Sequence, residues 1–287
     1  MQQPGSTHDQ RLPDFVIIGA GKCGTTALWK ELKAHPALCG SRIKETNYFG
    51  AEHGFRDLAW YTGLFKEPGK ITFEASPDYT SLWYCDLVPA RMHALIPDAR
   101  LIFMVRHPVD RAISRVLHRL RKNQVRYRDI HKLGFWRYDS QGCEAIAGSQ
   151  YFRVLSHFLK YYDRSDIIIH SNEDLRDQPA QVYNAILDFV GAPGPRYGED
   201  HAFVTANVTS EKRRITWNKA HWRLRRLHER RWIPPLHQLF EAEIRKPNLS
   251  SEILNYLWSC FEEDLKKFES LTGCTFNYAP PPVASRV

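Results

Sequence analysis

Long apolar runs are missing from this 287-residue sequence. The longest, such as Phe15–Ile18 and Leu101–Val105, are strand-sized, well short of the ~20 apolar residues that a membrane-crossing helix needs. The first dozen residues are polar and hold no apolar stretch of the kind a secretory signal carries. Residues 1–13 are therefore expected to form a disordered leader, and no membrane anchor is expected. Cysteines at metal-site or disulfide spacing are missing too. The six present (Cys23, Cys39, Cys85, Cys143, Cys260 and Cys274) include no CxxC pair and no histidine at ligand spacing, which argues against a zinc site and a disulfide framework. No bound metal is expected, and a reducing cytoplasm is the simplest location. Low-complexity tracts are also lacking, and a composition 43% hydrophobic and 13% aromatic excludes a largely disordered chain.

Acidic residues are scarce in two segments. The net charge is +8, but Arg106–Lys132 sets nine Arg and Lys against Asp110 and Asp129, and Lys212–Arg231 sets nine against Glu229 alone. The rest of the chain is consequently acidic. Concentrated positive charge suits a polyanionic ligand, with solvated helix faces as the competing explanation. Trp217, Trp222, Trp232 and Tyr127 lie in or near these stretches, placed either to stack on an acceptor or to pack in the core.

Four short apolar runs each precede a helical pattern. Phe15–Ile18 leads to a helix over about Thr25–Ala34 that His35-Pro36 stops. Ile71–Glu74 leads to one around Asp86–Leu95. Leu101–Val105 leads to a long helix entered through Pro108, and Ile167–Ile169 to one over Gln178–Val190. A last amphipathic helix puts Ile253, Leu254, Leu257, Phe261, Leu265 and Phe268 on one face and ends at Gly273. This alternation predicts an α/β fold: a P-loop-like parallel sheet with helices on both faces, in a single domain over residues 14–280 with a tail at 281–287. Ligands of such sheets sit at the carboxyl ends of the strands.

There the first strand meets Gly19-Ala-Gly-Lys-Cys-Gly-Thr-Thr26 and then a helix. Glycines at a strand-to-helix turn let backbone N–H groups wrap an anion, and the helix amino terminus adds partial positive charge. Three phosphate loops compete. Gly19, Gly21 and Gly24 satisfy GxGxxG, but a dinucleotide site usually avoids a lysine between its glycines and needs a second strand ending in an acid, where Pro36 and a loop-like stretch follow. A Walker A loop needs lysine directly after the last glycine, where Thr25 stands, and a metal-binding aspartate, for which Asp78 and Asp166 are the candidates. The third is a loop whose anion needs no magnesium.

FVIIGAGKCGTTAL resembles the 5′-phosphosulfate loop of the nucleotide-dependent sulfotransferases, in particular the heparan-sulfate-type and bacterial branch. The resemblance implies 3′-phosphoadenosine 5′-phosphosulfate (PAPS) as co-substrate. It implies that Lys22 reaches the oxygen bridging phosphorus and sulfur, with Cys23, Gly24, Thr25 and Thr26 completing the 5′-phosphate site. LIFMVRHPVDRAIS is similar to the family's 3′-phosphate motif, in which Arg106 forks the phosphate and Ser114 adds a hydroxyl donor. Arg111 also fits, either as a ligand contact or as a group that fixes the helix. Ser210-Glu-Lys-Arg-Arg214 resembles a basic loop that closes over the 3′-phosphate through Lys212 and Arg214, although Arg213 stands where the heparan-sulfate enzymes often have glycine.

Lys44-Glu-Thr-Asn-Tyr-Phe49 resembles the segment that carries the general base, which makes Glu45 that base by resemblance, with Asn47 where several relatives have histidine. Glu74-Ala-Ser-Pro-Asp-Tyr79 resembles the segment in which heparan-sulfate enzymes place a second lysine; Ala75 stands there instead, which weighs against a heparan acceptor. Gly148–Tyr151, Glu173–Leu175 and Leu271–Gly273 match further landmarks, so the resemblance spans roughly residues 14–278. The implied reaction is in-line transfer of a sulfonate to a hydroxyl, in preference to an amine, of a glycan, natural product or carrier-bound chain. A P-loop kinase using Mg-ATP and a basic nucleic-acid-binding protein are the rivals; no nucleic-acid partner is expected.

Overall fold

The computed structural model describes residues 11–50, 53–84, 86–204 and 247–273, together with the backbone of 212–214 and 241–243. Five strands form one sheet: β1 (Phe15–Gly19), β2 (Leu38–Gly40), β3 (Ile71–Ala75), β4 (Arg100–Val105) and β5 (Ile167–Ser171). All neighbours run parallel in the order β2-β3-β1-β4-β5, with Phe15 opposite both Phe73 and Arg100, and Leu101 opposite Ile167. Successive strand residues face opposite sides of a sheet, yet Phe15 through Ile18 and Leu101 through Val105 are all buried. Both faces are therefore covered, as parallel sheets require. Two further strands, β6 (Lys212–Arg214) and β7 (Glu241–Glu243), pair antiparallel.

The helices are α1 (Thr25–Ala34), α2 (Leu58–Thr62), α3 (Leu87–Leu95), α4 (Pro108–Arg121), α5 (Leu133–Tyr138), α6 (Ser140–Ala147), α7 (Tyr151–Phe158), α8 (Asn172–Asp177), α9 (Pro179–Phe189) and α10 (Ser251–Thr272). Local chemistry sets their ends. Pro108 occupies the first turn of α4 and His107 caps it by accepting from the Asp110 N–H, while His118, Arg119 and Arg121 face the negative carboxyl end. Ser250 caps α10 and Gly273 ends it at φ 68°, a left-handed turn that glycine adopts without a Cβ penalty. Residues of α4, α5, α6 and α10 enclose a second apolar cluster around Trp136, whose indole N–H donates to Ile130 O at 2.9 Å.

The chain leaves β1 for the β2–β3 side of the sheet, then crosses back to β4 and β5 on the other. The carboxyl end of β1 is thus the point where the winding reverses, and such a crevice is where open α/β sheets hold ligands. Gly19–Thr26 leaves β1 there, Ser76–Thr80 leaves β3 and Arg106 leaves β4.

Most expected elements form within a residue or two of the expected bounds. Three features differ. β2 occupies what the sequence presented as a loop after Pro36; Leu38-Cys-Gly40 is too short to show a strand period. It ends at Gly40-Ser41 and not at an acid, so the dinucleotide reading fails on that ground, not for want of a strand. α8 precedes α9 through a capping box between Ser171 and Asp174. Finally, residues 11–13 are no part of a leader: Arg11 donates to Glu67 O and Lys70 O, and Leu12 O accepts from Thr72 Oγ1 at 2.6 Å.

Candidate active site

A cavity of about 300 Å3 opens at the carboxyl ends of β1, β3 and β4. The phosphate loop contributes Gly21, Lys22, Gly24, Thr25 and Thr26, the start of α4 approaches with Arg106 and Ser114, and the loop after β2 brings Glu45. One cavity therefore joins residues from three separate motifs, with Lys22 and Ser114 92 positions apart.

Gly24 sits at φ 86° as the residue preceding α1, and a Cβ there would meet Asn172 Nδ2 at 2.8 Å. Only glycine lets the chain turn that tightly beneath α8. The next N–H groups belong to the first turn of α1 and have no partners within the helix, so Thr25 and Thr26 offer donors to an anion. Cys23 behaves differently. Its side chain is fully buried, its Sγ lies 3.9 Å from Tyr151 Oη, and its N–H donates to Ala20 O. Burial pushes the thiol up to about 11, with Arg111 opposing. Its expected place among the nucleotide contacts is therefore corrected: it packs the loop from inside.

Lys22 holds φ 76°, uncommon for a residue with a side chain. Its pKa is lowered to about 8, first by burial and then by the charges of Arg121, Arg115 and Arg106. His118, one turn beyond Ser114, is lowered to about 4 by burial and by Lys22, Lys122, Arg115 and Arg121. Cations crowded against each other in a cleft are stabilised by an anion between them. Among the described residues neither Lys22 nor Arg106 is in an ion pair. Arg115 is engaged by Glu144 at 2.8 Å and by Asp78 at 3.7 Å.

The scaffold holding these groups explains the other sequence landmarks. Arg111 is buried and donates to Gly21 O, Ala145 O and Ser149 Oγ, so it clamps the loop to the α6–α7 turn. Tyr151 Oη accepts from the Arg106 N–H and donates to Arg106 O, fixing the backbone from which that guanidinium departs. Glu173 Oε1 accepts from the His107 N–H.

Glu45 stands at φ 64°, its N–H donating to Ala75 O at the end of β3. Its half-exposed carboxylate is paired with Lys44 Nζ at 2.6 Å. Below it lies Glu74, fully buried, accepting from Thr46 Oγ1 (2.6 Å), Tyr79 Oη (2.7 Å), Ser76 Oγ (2.8 Å) and Tyr61 Oη (2.9 Å). Burial raises its pKa and those four hydroxyls pull it back. This hub fastens the Glu45 loop, through Thr46, to the turn that carries Asp78.

Sequence reasoning missed Arg115, His118, Lys122 and Asn172 as cavity residues, and offered Asp78, which also lines the cavity, only as a Walker-type metal aspartate. Ser114, His118 and Lys122 follow at four-residue spacing, which puts them on one helix face and was the available signal. Asp166, by contrast, precedes β5 and so lies at the opposite end of the strands, which removes it as a metal-binding aspartate for this cavity. Lys212 and Arg214 contribute backbone to β6, and their side chains lie outside the described residues, as do Trp217, Trp222 and Trp232. Tyr127 is exposed, with its ring 5.1 Å from His131.

Parallel sheet, glycine turn and cationic cleft define a phosphate-loop α/β protein. A sequence model of the sulfotransferase domain matches residues 12–225. The chain belongs to the PAPS-dependent sulfotransferase family. It is 34% identical over 195 residues to heparan sulfate glucosamine 3-O-sulfotransferase 6 of Homo sapiens, covering 63% of this chain and 53% of the relative. To bifunctional heparan sulfate N-deacetylase/N-sulfotransferase 4 of Mus musculus it is 26% identical over 208 residues, covering 67% of this chain and 23% of the relative. The chain thus spans about half of the first relative and about a quarter of the second. Among solved structures, a sulfotransferase from Alicyclobacillus acidocaldarius shares the fold with a TM-score of 0.65 at 21% identity, over 93% of this chain and 98% of that one.

Proposed function

We propose that the protein transfers a sulfonate group from PAPS to an acceptor hydroxyl. The observation that carries this reading is the meeting of Lys22, Thr25, Thr26, Arg106, Ser114 and Glu45 in one cavity. The two phosphate-binding motifs reach it from adjacent strands, β1 and β4, as the two phosphorylated ends of one adenosine nucleotide require.

The residues divide the work by charge. Arg106 and Ser114 grip the 3′-phosphate, and Thr25 and Thr26 present N–H groups to the 5′-phosphate. Glu45 takes the acceptor proton as the acceptor oxygen bonds to sulfur. The bond from sulfur to the bridging oxygen breaks, and its electron pair leaves on adenosine 3′,5′-bisphosphate (PAP). Lys22 sits where that negative charge grows, and a preorganised donor of this kind contributes about 3 kcal/mol. Lys44 pairs with Oε1 of Glu45, which leaves Oε2 to take the acceptor proton.

The acceptor is drawn from glycans, natural products and carrier-bound chains. We propose a reducing, cytoplasmic location from the cysteine spacing of the sequence, which resembles neither a disulfide framework nor a zinc site. A thermal-shift comparison tests the donor: PAP should stabilise the protein and Mg-ATP should not. A larger shift with Mg-ATP would convert the assignment to a kinase.

A further inference from the structure

A second cavity, of about 330 Å3, adjoins the first and shares Pro77, Asp78 and Arg115 with it. We propose that this cavity is the acceptor site and that it selects a small, neutral, largely apolar alcohol or phenol, not a sulfated glycan. The inference rests on the sulfotransferase reading and narrows its acceptor.

Position comes first. A Cβ built on Gly21 would lie 3.7 Å from Pro77 and 3.9 Å from Arg115, so the shared wall stands against the loop that carries Lys22. Arg111, which also lines the second cavity, donates to Gly21 O. The cavity therefore flanks the loop that carries Lys22, the end at which sulfur is transferred.

Charge comes second. Arg115 is already held by Glu144 and Asp78, and Arg111 is held in place through Nε and Nη1 by Gly21 O, Ala145 O and Ser149 Oγ. Among the cavity's described lining residues two guanidiniums stand against two carboxylates, so no net positive charge draws in a sulfate or carboxylate. A polyanion would meet Asp78 and Glu144 beside those guanidiniums, so much of its desolvation cost would go uncompensated.

Size and surface come third. Leu82, Ala147 and the 75%-exposed Trp83 supply an apolar surface on which a ring or alkyl chain can pack. A volume at the low end of the ~300–1,000 Å3 typical of ligand pockets admits one or two rings or a short alkyl chain. The acceptor O–H gives its proton to Glu45, its oxygen bonds to sulfur, and PAP departs with the electron pair of the broken sulfur–oxygen bond.

The test uses the whole chain saturated with PAP and reads binding of 2-naphthol and 1-octanol by saturation-transfer NMR. A parallel assay with sulfur-labelled PAPS compares these alcohols with an N-sulfated heparan octasaccharide. Both alcohols should bind and at least one should be sulfonated. Ala147→Phe, which fills the cavity from the end of α6, should raise KM for the alcohol by about tenfold or more. Trp83→Ala, at an exposed position, should raise it about threefold to tenfold. Neither variant should move the dissociation constant of PAP by more than about twofold, since neither residue lines the first cavity. Sulfonation of the octasaccharide without binding of either alcohol overturns the proposal, as does alcohol binding indifferent to both variants, and in each case tight PAP binding leaves the sulfotransferase reading standing. Failure of PAP itself to bind removes both.

Discussion

PAP should bind more weakly as the pH climbs through 8, because the cavity has already brought Lys22 halfway to losing its proton there. The ammonium form is the charged donor to the 5′-phosphate, whose own second ionisation (pKa ≈ 6) is about nine-tenths complete at pH 7. With a free-protein pKa of about 8, the dissociation constant scales as one plus ten to the power (pH − 8), which gives about a tenfold loss between pH 7 and pH 9. Isothermal titration at pH 7, 8 and 9, in buffers of different ionisation enthalpy, should show uptake of about half a proton at pH 8 and nearly one at pH 9. Lys22→Arg, which keeps its charge throughout, should flatten the profile. The same lysine acts on folding with the opposite sign. Its pKa of about 8 in the folded state lies below the ordinary 10.5, so the unfolded chain binds the extra proton between those values. The resulting destabilisation is complete below pH 8, is of order 3 kcal/mol, and is relieved as the pH rises toward 10.5. Constant PAP affinity from pH 7 to 9, or a Lys22→Arg profile parallel to that of the unaltered protein, would refute the electrostatic account.

Glu45→Gln should keep PAP affinity within about twofold while lowering kcat by about 100-fold to 10,000-fold; unaltered turnover would remove Glu45 from proton transfer. Arg106→Ala deletes a charge-assisted phosphate contact, so calorimetry should find PAP bound about 10-fold to 100-fold more weakly. Glu74→Ala deprives four buried hydroxyls of their acceptor and should lower unfolding free energy by about 2 kcal/mol or more in urea titrations.

The parts of this fold legible in the sequence are those with a period or an obligatory residue. β1 and β4 announce themselves as buried apolar runs, and the turn between β1 and α1 needs glycine at position 24 because Asn172 stands where a side chain would go. α4 is entered by Pro108 and carries a face that repeats every fourth residue. Hidden features lack such marks. β2 has three residues and takes its hydrogen bonds from β3 at the sheet edge, which no local pattern records. Cys23 stands between two cavity-lining residues yet points inward, because Lys22 at φ 76° reverses the chain's direction before it. Glu74 has no local mark of its role, because Thr46, Tyr61 and Tyr79 converge on it from positions 28, 13 and 5 residues away. Long-range convergence of this kind belongs to the folded chain alone.

The Glu74 hub has a consequence for how the molecule can vary. One carboxylate rivets the Glu45 loop and the Ser76–Tyr79 turn together, so the two walls nearest the reacting centre keep a fixed gauge. The far side of the second cavity, at Leu82, Trp83 and Ala147, has no hydrogen bond to that rivet. Substitutions there can reshape what enters without disturbing the alignment on which transfer depends.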